Sequence, residues 1–454
     1  MSSPVRVERL PLRIQPDPSR VLSRFFFAEE ESTRRRIARV MTLPEAAVES
    51  IVLDMLQVFV INHYDIAANW LEHFQRVEAM LPANCGPLSW SRQMLIGAYF
   101  TMDYALEAVA LFNPSIVETL NQKNLQPGEK RFTMTLRAVG EGHLSSIVIR
   151  HGIIDSLNNI VLNEPALTRR ALDKEANPEF STAMIRRTLS DLGALGPIEE
   201  KVLDNLGKSA CPADITEELE RVQATSSPAQ WQRARDNLLS FMESNYNLQV
   251  PEGADLSELV IFPVSQNESR GIEDLRLFRF TDDDGTQSIL GTYSAFNGYT
   301  VFPTMLVMRD IRRVESHTMS GRYARNKGMA IFPRRINGRY VVSGRLDGEN
   351  LYILESENPL VWNEGRLSQE PKYWWQFSVI GNCGSPIETP EGWLMLTHGV
   401  GPMRQYCIGA CLLDLEDPAR VIGELEEPLI SPADDERVGY VPNVVYTCGM
   451  MLHN

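Results

Sequence analysis

The sequence predicts a mainly β protein, a β-propeller that carries a substantial α-helical N-terminal region and a helical insertion. Three observations predict it. Short apolar runs punctuated by Gly, Asn and Pro fill the chain after about Leu256. Those runs repeat with a period of about fifty residues. Two earlier blocks instead place apolar residues at three- and four-residue spacing, as amphipathic or buried helices do.

Taken in order, the first helical block lies between Pro44 and Phe112, in EAAVESIVLDMLQVFVI and RQMLIGAYFTMDYALEAVALF. A first copy of the strand repeat follows in KRFTMTLRAVGEGHLSSIVIRHGIID. The second helical block runs from about Glu179 to Tyr246. Within it Ser227 and Pro228 form an N-cap with proline at the first helical position, opening PAQWQRARDNLLSFMESNY. Beyond it, DGTQSILGTYSAFNGYTVFPTMLVMRD, NGRYVVSGRLDGENLYILESEN and EGWLMLTHGVGPMRQYCIGACLLDLED align as repeated units of a Gly turn, an inner strand, a loop and a second strand. The expected organisation is an N-terminal strand and helical region over 1–112, a first blade over 113–161, a helical insertion over 162–256 and the remaining blades over 257–454. An independent helical domain followed by a separate β domain is the alternative.

Composition narrows the partners. A formal charge of −15 argues against nucleic acid, which clustered Lys and Arg would have to hold. No apolar run approaches the roughly 20 residues that cross a bilayer, and the opening MSSPVRVERLPLRIQPDPSR lacks a signal peptide's apolar stretch, so a cytoplasmic protein with no membrane partner is expected. The six cysteines, Cys85, Cys211, Cys383, Cys407, Cys411 and Cys448, form no CxxC pair and are expected to be reduced core residues. His63, His73, His143, His151 and His317 show no metal-ligand spacing, so no metal is expected.

In a propeller, polar residues at the ends of inner strands converge on one channel. Matching positions carry Arg137, Arg345 and His398, while Asp274 and the pair Arg325 and Asn326 precede other strands. This set has one acid and several cations or donors. One carboxyl can protonate a leaving oxygen, and if phosphate is the nucleophile, Arg forks and a His can hold it without a second carboxylate as base. Phosphorolysis fits the set better than hydrolysis.

The stretches GIEDLR, ARNKGMAIFPRRINGRY, GNCGSPIETPEGWLMLTHGV and DLEDPARVIGELEEPLISP, with the later GYVPNVVYTCG, resemble in order and spacing the signatures of glycoside hydrolase family 130, the β-mannoside phosphorylase family. LRAVGEGHLSSI resembles it more weakly. The resemblance implies a five-bladed β-propeller and an inverting phosphorylase that cleaves β-mannosides with inorganic phosphate to give α-mannose 1-phosphate. It implies Asp274 as the general acid, passing its proton through a sugar hydroxyl. It further implies Asn113, Arg137, Glu273 and Tyr406 as substrate contacts and Arg325, Asn326, Arg345 and His398 as phosphate contacts. No cofactor is implied; phosphate is the co-substrate.

Three departures stand out. Leu275 replaces the motif's proline, Val379 lies where many members carry a phosphate-binding lysine, and the sequence stops at CGMMLHN where members continue through one more hairpin. The last leads us to expect either a truncated chain or closure by other means. The missing lysine keeps an inverting β-mannoside hydrolase as the alternative. A non-catalytic carbohydrate-binding propeller is a third reading, to be separated from the others by its lack of a positioned acid. Tyr373, Trp374, Trp375 and Phe377 are expected either to stack on sugar or to fill a blade contact. The helical regions are expected to act as a lid or an oligomer interface.

Overall fold

A computed structural model describes residues 5–310 and 313–453. It is mainly β. Four large sheets follow one another along the chain, with helices before and between them.

The N-terminal helices α1 (Glu30–Met41), α2 (Glu45–Phe59), α3 (Ile66–Val77) and α4 (Trp90–Ala98) share one core containing Ile37, Val48, Trp70, Phe74 and Ile96. The expected helix does not extend through TMDYALEAVALF. Instead Thr101–Ala105 pairs antiparallel with Val21–Phe25, and Ala110–Glu118 opens the first large sheet. The reason is tertiary: strand 21–25 supplies hydrogen-bond partners that a local apolar period cannot reveal.

The first sheet contains Ala110–Glu118, Lys130–Val139, Ser145–Ile154, Leu259–Ile261 and Arg170–Ala171, in that order. The second contains Ile272–Thr281, Gln287–Phe296, Val301–Asp310, Arg313–Thr318, Tyr246–Gln249 and Asp173–Ala176. Segments on either side of the helical insertion therefore contribute strands to both sheets. The insertion itself is α5 (Thr182–Asp191), α6 (Pro197–Asn205), α7 (Pro212–Gln223) and α8 (Pro228–Ser244), packed about their own core of Ile185, Val202, Ile215, Leu219 and Leu238. Ser227 caps α8 by accepting from the Gln230 N–H at 3.4 Å, with Pro228 in the first turn.

The third sheet runs Ala330–Ile331, Tyr340–Gly344, Leu351–Ser356, Glu364–Gln369. The fourth runs Val379–Asn382, Gly392–Val400, Tyr406–Leu413, Val421–Glu424. Successive sheets touch face to face. Val117 and Ile147 of the first meet Ile272, Leu275 and Leu277 of the second. Phe280 and Met305 of the second meet Ile331 and Val342 of the third, and Val341 and Ile353 of the third meet Ile380 and Trp393 of the fourth.

Residues 443–448 link the fourth sheet to the first. Residue Tyr406 of the fourth sheet bonds Asn443 and Val445, after which Thr447 Oγ1 and the Cys448 N–H donate to the Pro114 carbonyl at 2.9 and 2.8 Å. Among the described residues there are four large sheets rather than the five expected. The segment 443–449 stands where the fourth sheet returns to the first.

Candidate functional site

One cavity, of about 680 Å³, collects residues from all four sheets: Asn113, Arg137, Glu273, Asp274, Lys327, Arg345, His398 and Tyr406 among its lining. Their convergence has a backbone cause. The first and second sheets carry the same irregularity in their opening strands, with register shifts between Phe112 and Ser115 and between Glu273 and Arg276. Inside these bulges Asn113 and Asp274 adopt left-handed φ of 55° and 58°. An extra residue re-aims a side chain out of the pleat, and here the two re-aimed side chains meet. Asn113 Nδ2 donates to Asp274 Oδ1 at 2.6 Å. The first sheet has Pro114 at the position of Leu275, so the bulge accepts either residue.

Close approach of the two sheets also explains Gly271, whose φ is +122° and where an added Cβ would stand 2.4 Å from Ser145 Oγ. No larger residue fits just ahead of the Glu273 and Asp274 pair.

The carboxylates are compensated. Arg137 Nη2 donates to Glu273 Oε1 at 2.8 Å, and Lys327 ion-pairs with Glu273 Oε2. Arg137 Nη1 lies 3.6 Å from Asp274 Oδ1. Asp274 Oδ2 has no protein partner among the described residues. Behind the pair, Arg276 is 2% exposed and donates to the Asp274 carbonyl (2.8 Å), Asn382 Oδ1 (3.3 Å) and the Tyr446 hydroxyl (2.7 Å). It is a structural brace. Burial pushes the Tyr446 phenol far above its ordinary range, so it lines the cavity as a neutral hydroxyl.

Arg345 and His398 form a second group. Burial, with Arg345 and Arg276 nearby, drives the His398 pKa down to about 3. The ring is therefore neutral. Its Nδ1 lies 3.0 Å from the Asn382 carbonyl, which can only accept, so Nδ1 carries the proton and Nε2 presents a lone pair. His398 is not the cation expected from sequence; it can accept from a hydroxyl. Arg345 and Arg404 have no carboxylate partner among the described residues. Gly381 keeps this corner open: a Cβ there would stand 2.5 Å from His398 Cε1 and 3.0 Å from Arg345 Cδ. Tyr406 stacks on His398 with ring centroids 6.0 Å apart.

The structure thus brings together Asn113, Arg137, Glu273, Asp274, Arg345, His398 and Tyr406. It does not bring Arg325 and Asn326 into this cavity. Both line a neighbouring cavity of about 440 Å³, under Thr188 and Asp191 of α5 and the Leu192 that follows it, and Asn326 Nδ2 donates to the Arg345 and Leu346 carbonyls. Lys327, one residue on, faces the first cavity instead. Val379 does not line the cavity; Lys327 does, paired with Glu273, and its signal was its place beside the Arg325 and Asn326 pair in ARNKG.

Trp375 is 1% exposed and donates to the Glu426 carbonyl at 2.9 Å, so it packs, whereas Trp374 and Phe377 are exposed, and none of Tyr373, Trp374, Trp375 or Phe377 lines the cavity. Cys383, Cys407, Cys411 and Cys448 are buried, while Cys85 and Cys211 are half-buried; all six are free thiols. Among the described residues no group of three or more His, Cys, Asp or Glu is placed to hold a metal. Nor is any helix there long and apolar enough to cross a membrane.

A family model described as beta-1,4-mannooligosaccharide phosphorylase, glycoside hydrolase family 130, matches residues 253–454. The chain is 37% identical over 126 residues to a 1,2-beta-oligomannan phosphorylase of Thermoanaerobacter sp. (strain X514), covering 27% of this chain and 42% of that one. It is 31% identical over 198 residues to a beta-1,2-mannobiose phosphorylase of Listeria innocua serovar 6a, covering 42% and 54%. The chain therefore spans about half the length of the curated relatives it matches. Superposition on a Listeria innocua beta-1,2-mannobiose phosphorylase in complex with beta-1,2-mannobiose gives a TM-score of 0.42 at 19% identity, covering 77% of this chain and 85% of that one. A putative glycosidase from Bacteroides thetaiotaomicron gives 0.45 at 14%, covering 78% and 83%. The architecture rests on this chain's own sheet contacts rather than on those partial superpositions. Residues 253–454, the segment that contributes Asp274, Lys327, Arg345 and His398, match the model of glycoside hydrolase family 130.

Proposed function

We propose that the protein is an inverting phosphorylase that cleaves β-mannosides with inorganic phosphate, releasing α-mannose 1-phosphate. The observation that carries this is the distribution of charge in the cavity. Glu273, Asp435 and Glu436, the acids that line it besides Asp274, each face a cation: Arg137 with Lys327, Arg13 at 3.7 Å, and Arg9 at 2.8 Å. Glu273, the acid beside Asp274, is thus already paired twice, whereas Arg345 and Arg404 lack an anionic partner among the described residues.

In this reading Asp274 delivers its proton through a sugar hydroxyl to the glycosidic oxygen while a phosphate oxygen attacks C1 from the opposite face. The C1–O bond to the leaving sugar breaks, and the configuration inverts. Arg345 forks onto phosphate, and His398 Nε2 accepts from a P–OH. Asn113 and Arg137 hold Asp274, and Glu273 and Tyr406 contact sugar. Asn326 acts on the phosphate corner indirectly, through the Arg345 and Leu346 carbonyls, and Arg325 lies beside it in the neighbouring cavity. The four sheets are taken as blades of a propeller, with residues 425–453 occupying the place of a fifth. The protein acts without a cofactor in the cytoplasm.

The deciding experiment supplies a β-mannobiose with and without phosphate. Formation of mannose 1-phosphate only when phosphate is present supports the proposal; free mannose released at equal rates in both would replace it with the hydrolase.

A further inference from the structure

The lining of the cavity falls into two contact groups. His398 stacks on Tyr406 and meets Tyr446 edge-on, and Arg345 shares with His398 the corner beside Gly381. Phe112 and Tyr440 stack at 6.4 Å and 13°, the Arg137 guanidinium lies 5.3 Å from the Phe112 ring centre, and His143 Nδ1 lies 3.2 Å from the Tyr440 hydroxyl. Inversion puts the leaving group on the side of C1 away from phosphate. If Arg345 and His398 hold phosphate, the aromatic group therefore receives the leaving sugar.

Over that aromatic end runs a stretch of the N-terminal segment, with Arg13, Ile14, Gln15 and Pro16 in the cavity wall. It is fastened at two points of very different strength. At one, the fully buried Glu107 accepts from the Asp17 N–H at 3.0 Å and from Arg20 at 3.2 Å, and pairs with Arg150 at 2.7 Å. At the other, Arg9 donates to Glu436 at 2.8 Å and to the Ser431 carbonyl at 2.7 Å, and Arg13 lies 3.7 Å from Asp435. These outer pairs are exposed. Val5, Leu10 and Leu12 are exposed too, so almost no apolar burial holds the outer half down.

We propose that residues 9–16 are a strap that closes the leaving-group end of the cavity, so that Arg9, from outside the site, sets how long a mannoside is accepted. The inference rests on the phosphorylase reading. A disaccharide leaves only one sugar beyond the cleaved bond and fits beneath the strap. A longer donor carries further sugars toward residues 13–16 and must lift them. Because exposed ion pairs are weak and screened by salt, the strap yields without disturbing the Glu107 anchor.

The test compares phosphorolysis of a β-mannobiose with that of longer oligomers of the same linkage. It uses the full chain, Arg9→Ala and a chain lacking residues 2–16. Releasing the strap should raise kcat/KM for the longer donors relative to the disaccharide by about fivefold, through KM, with the Arg9→Ala rate on disaccharide unchanged. Raising salt should move the full chain the same way. An unchanged ratio in both variants, with folding intact, overturns the strap alone. Equal slowing of every donor also overturns it, since that is loss of packing rather than removal of a limit. No turnover of any mannoside by the full chain defeats the phosphorylase reading itself, and the strap with it.

Discussion

The two ends of the cavity treat charge in opposite ways. At the carboxylate end, Glu273 has two cations and Asp274 has Asn113 and Arg137, so the charges are balanced before any ligand arrives. At the other end Arg345 has no carboxylate among the described residues, and its aromatic neighbour His398 is neutral. A balanced end works by positioning, and an unbalanced end works by attracting. The acidic protein around it, at −15, makes that attraction local rather than long-ranged.

This contrast can be broken at either end. Asp274→Asn keeps shape and the Asn113 contact but removes the exchangeable proton, so kcat should fall about 10²-fold or more while thermal unfolding stays close to that of the unmodified protein. Near-normal turnover would remove Asp274 from the chemistry. Arg345→Lys keeps the charge but loses the fork, so KM for phosphate should rise about tenfold and become more sensitive to salt, with mannoside KM little changed. An effect on mannoside KM alone would place the anion elsewhere.

The smallest effect concerns stability and sharpens the neutral state of His398. Its folded pKa, about 3, lies below the ordinary 6.5, so below pH 6.5 the unfolded chain gains a proton that the folded chain refuses until near pH 3. Stability is full above this window and falls as pH drops through it, by about 1.4 kcal/mol per pH unit for this one group. Urea unfolding at pH 7 and pH 5 should show a steeper loss for the unmodified protein than for His398→Gln. Equal losses would mean that His398 is protonated in the fold.

Much of this was legible in the sequence, for reasons that differ by residue. Ser227 and Pro228 mark a helix start because capping is local. The repeat pointed to Arg137, Arg345 and His398 because each sits on or just beyond the second strand of its sheet, and a shared position in a repeat is a shared position in space. Residues 101–112 misled because their hydrogen-bond partners lie at 21–25 and 130–139. Arg325, Asn326 and Lys327 are consecutive, yet the turn at Asn326, with φ of 60°, sends Lys327 into one cavity and its predecessors into another. Composition cannot foretell which way such a turn faces. Nor could it show residues 13–16 in the wall, since they carry no periodic pattern.

The contact of Thr447 and Cys448 with the Pro114 carbonyl joins positions 333 and 334 residues apart. On a ribosome, the strand that presents Asn113 emerges long before the segment that secures it. Until Cys448 appears, the first sheet must wait with its Pro114 edge unsealed, and the cavity has no continuous wall. Loop closure over such a separation is slow, so sealing of this edge of the site is expected to be a late event in folding.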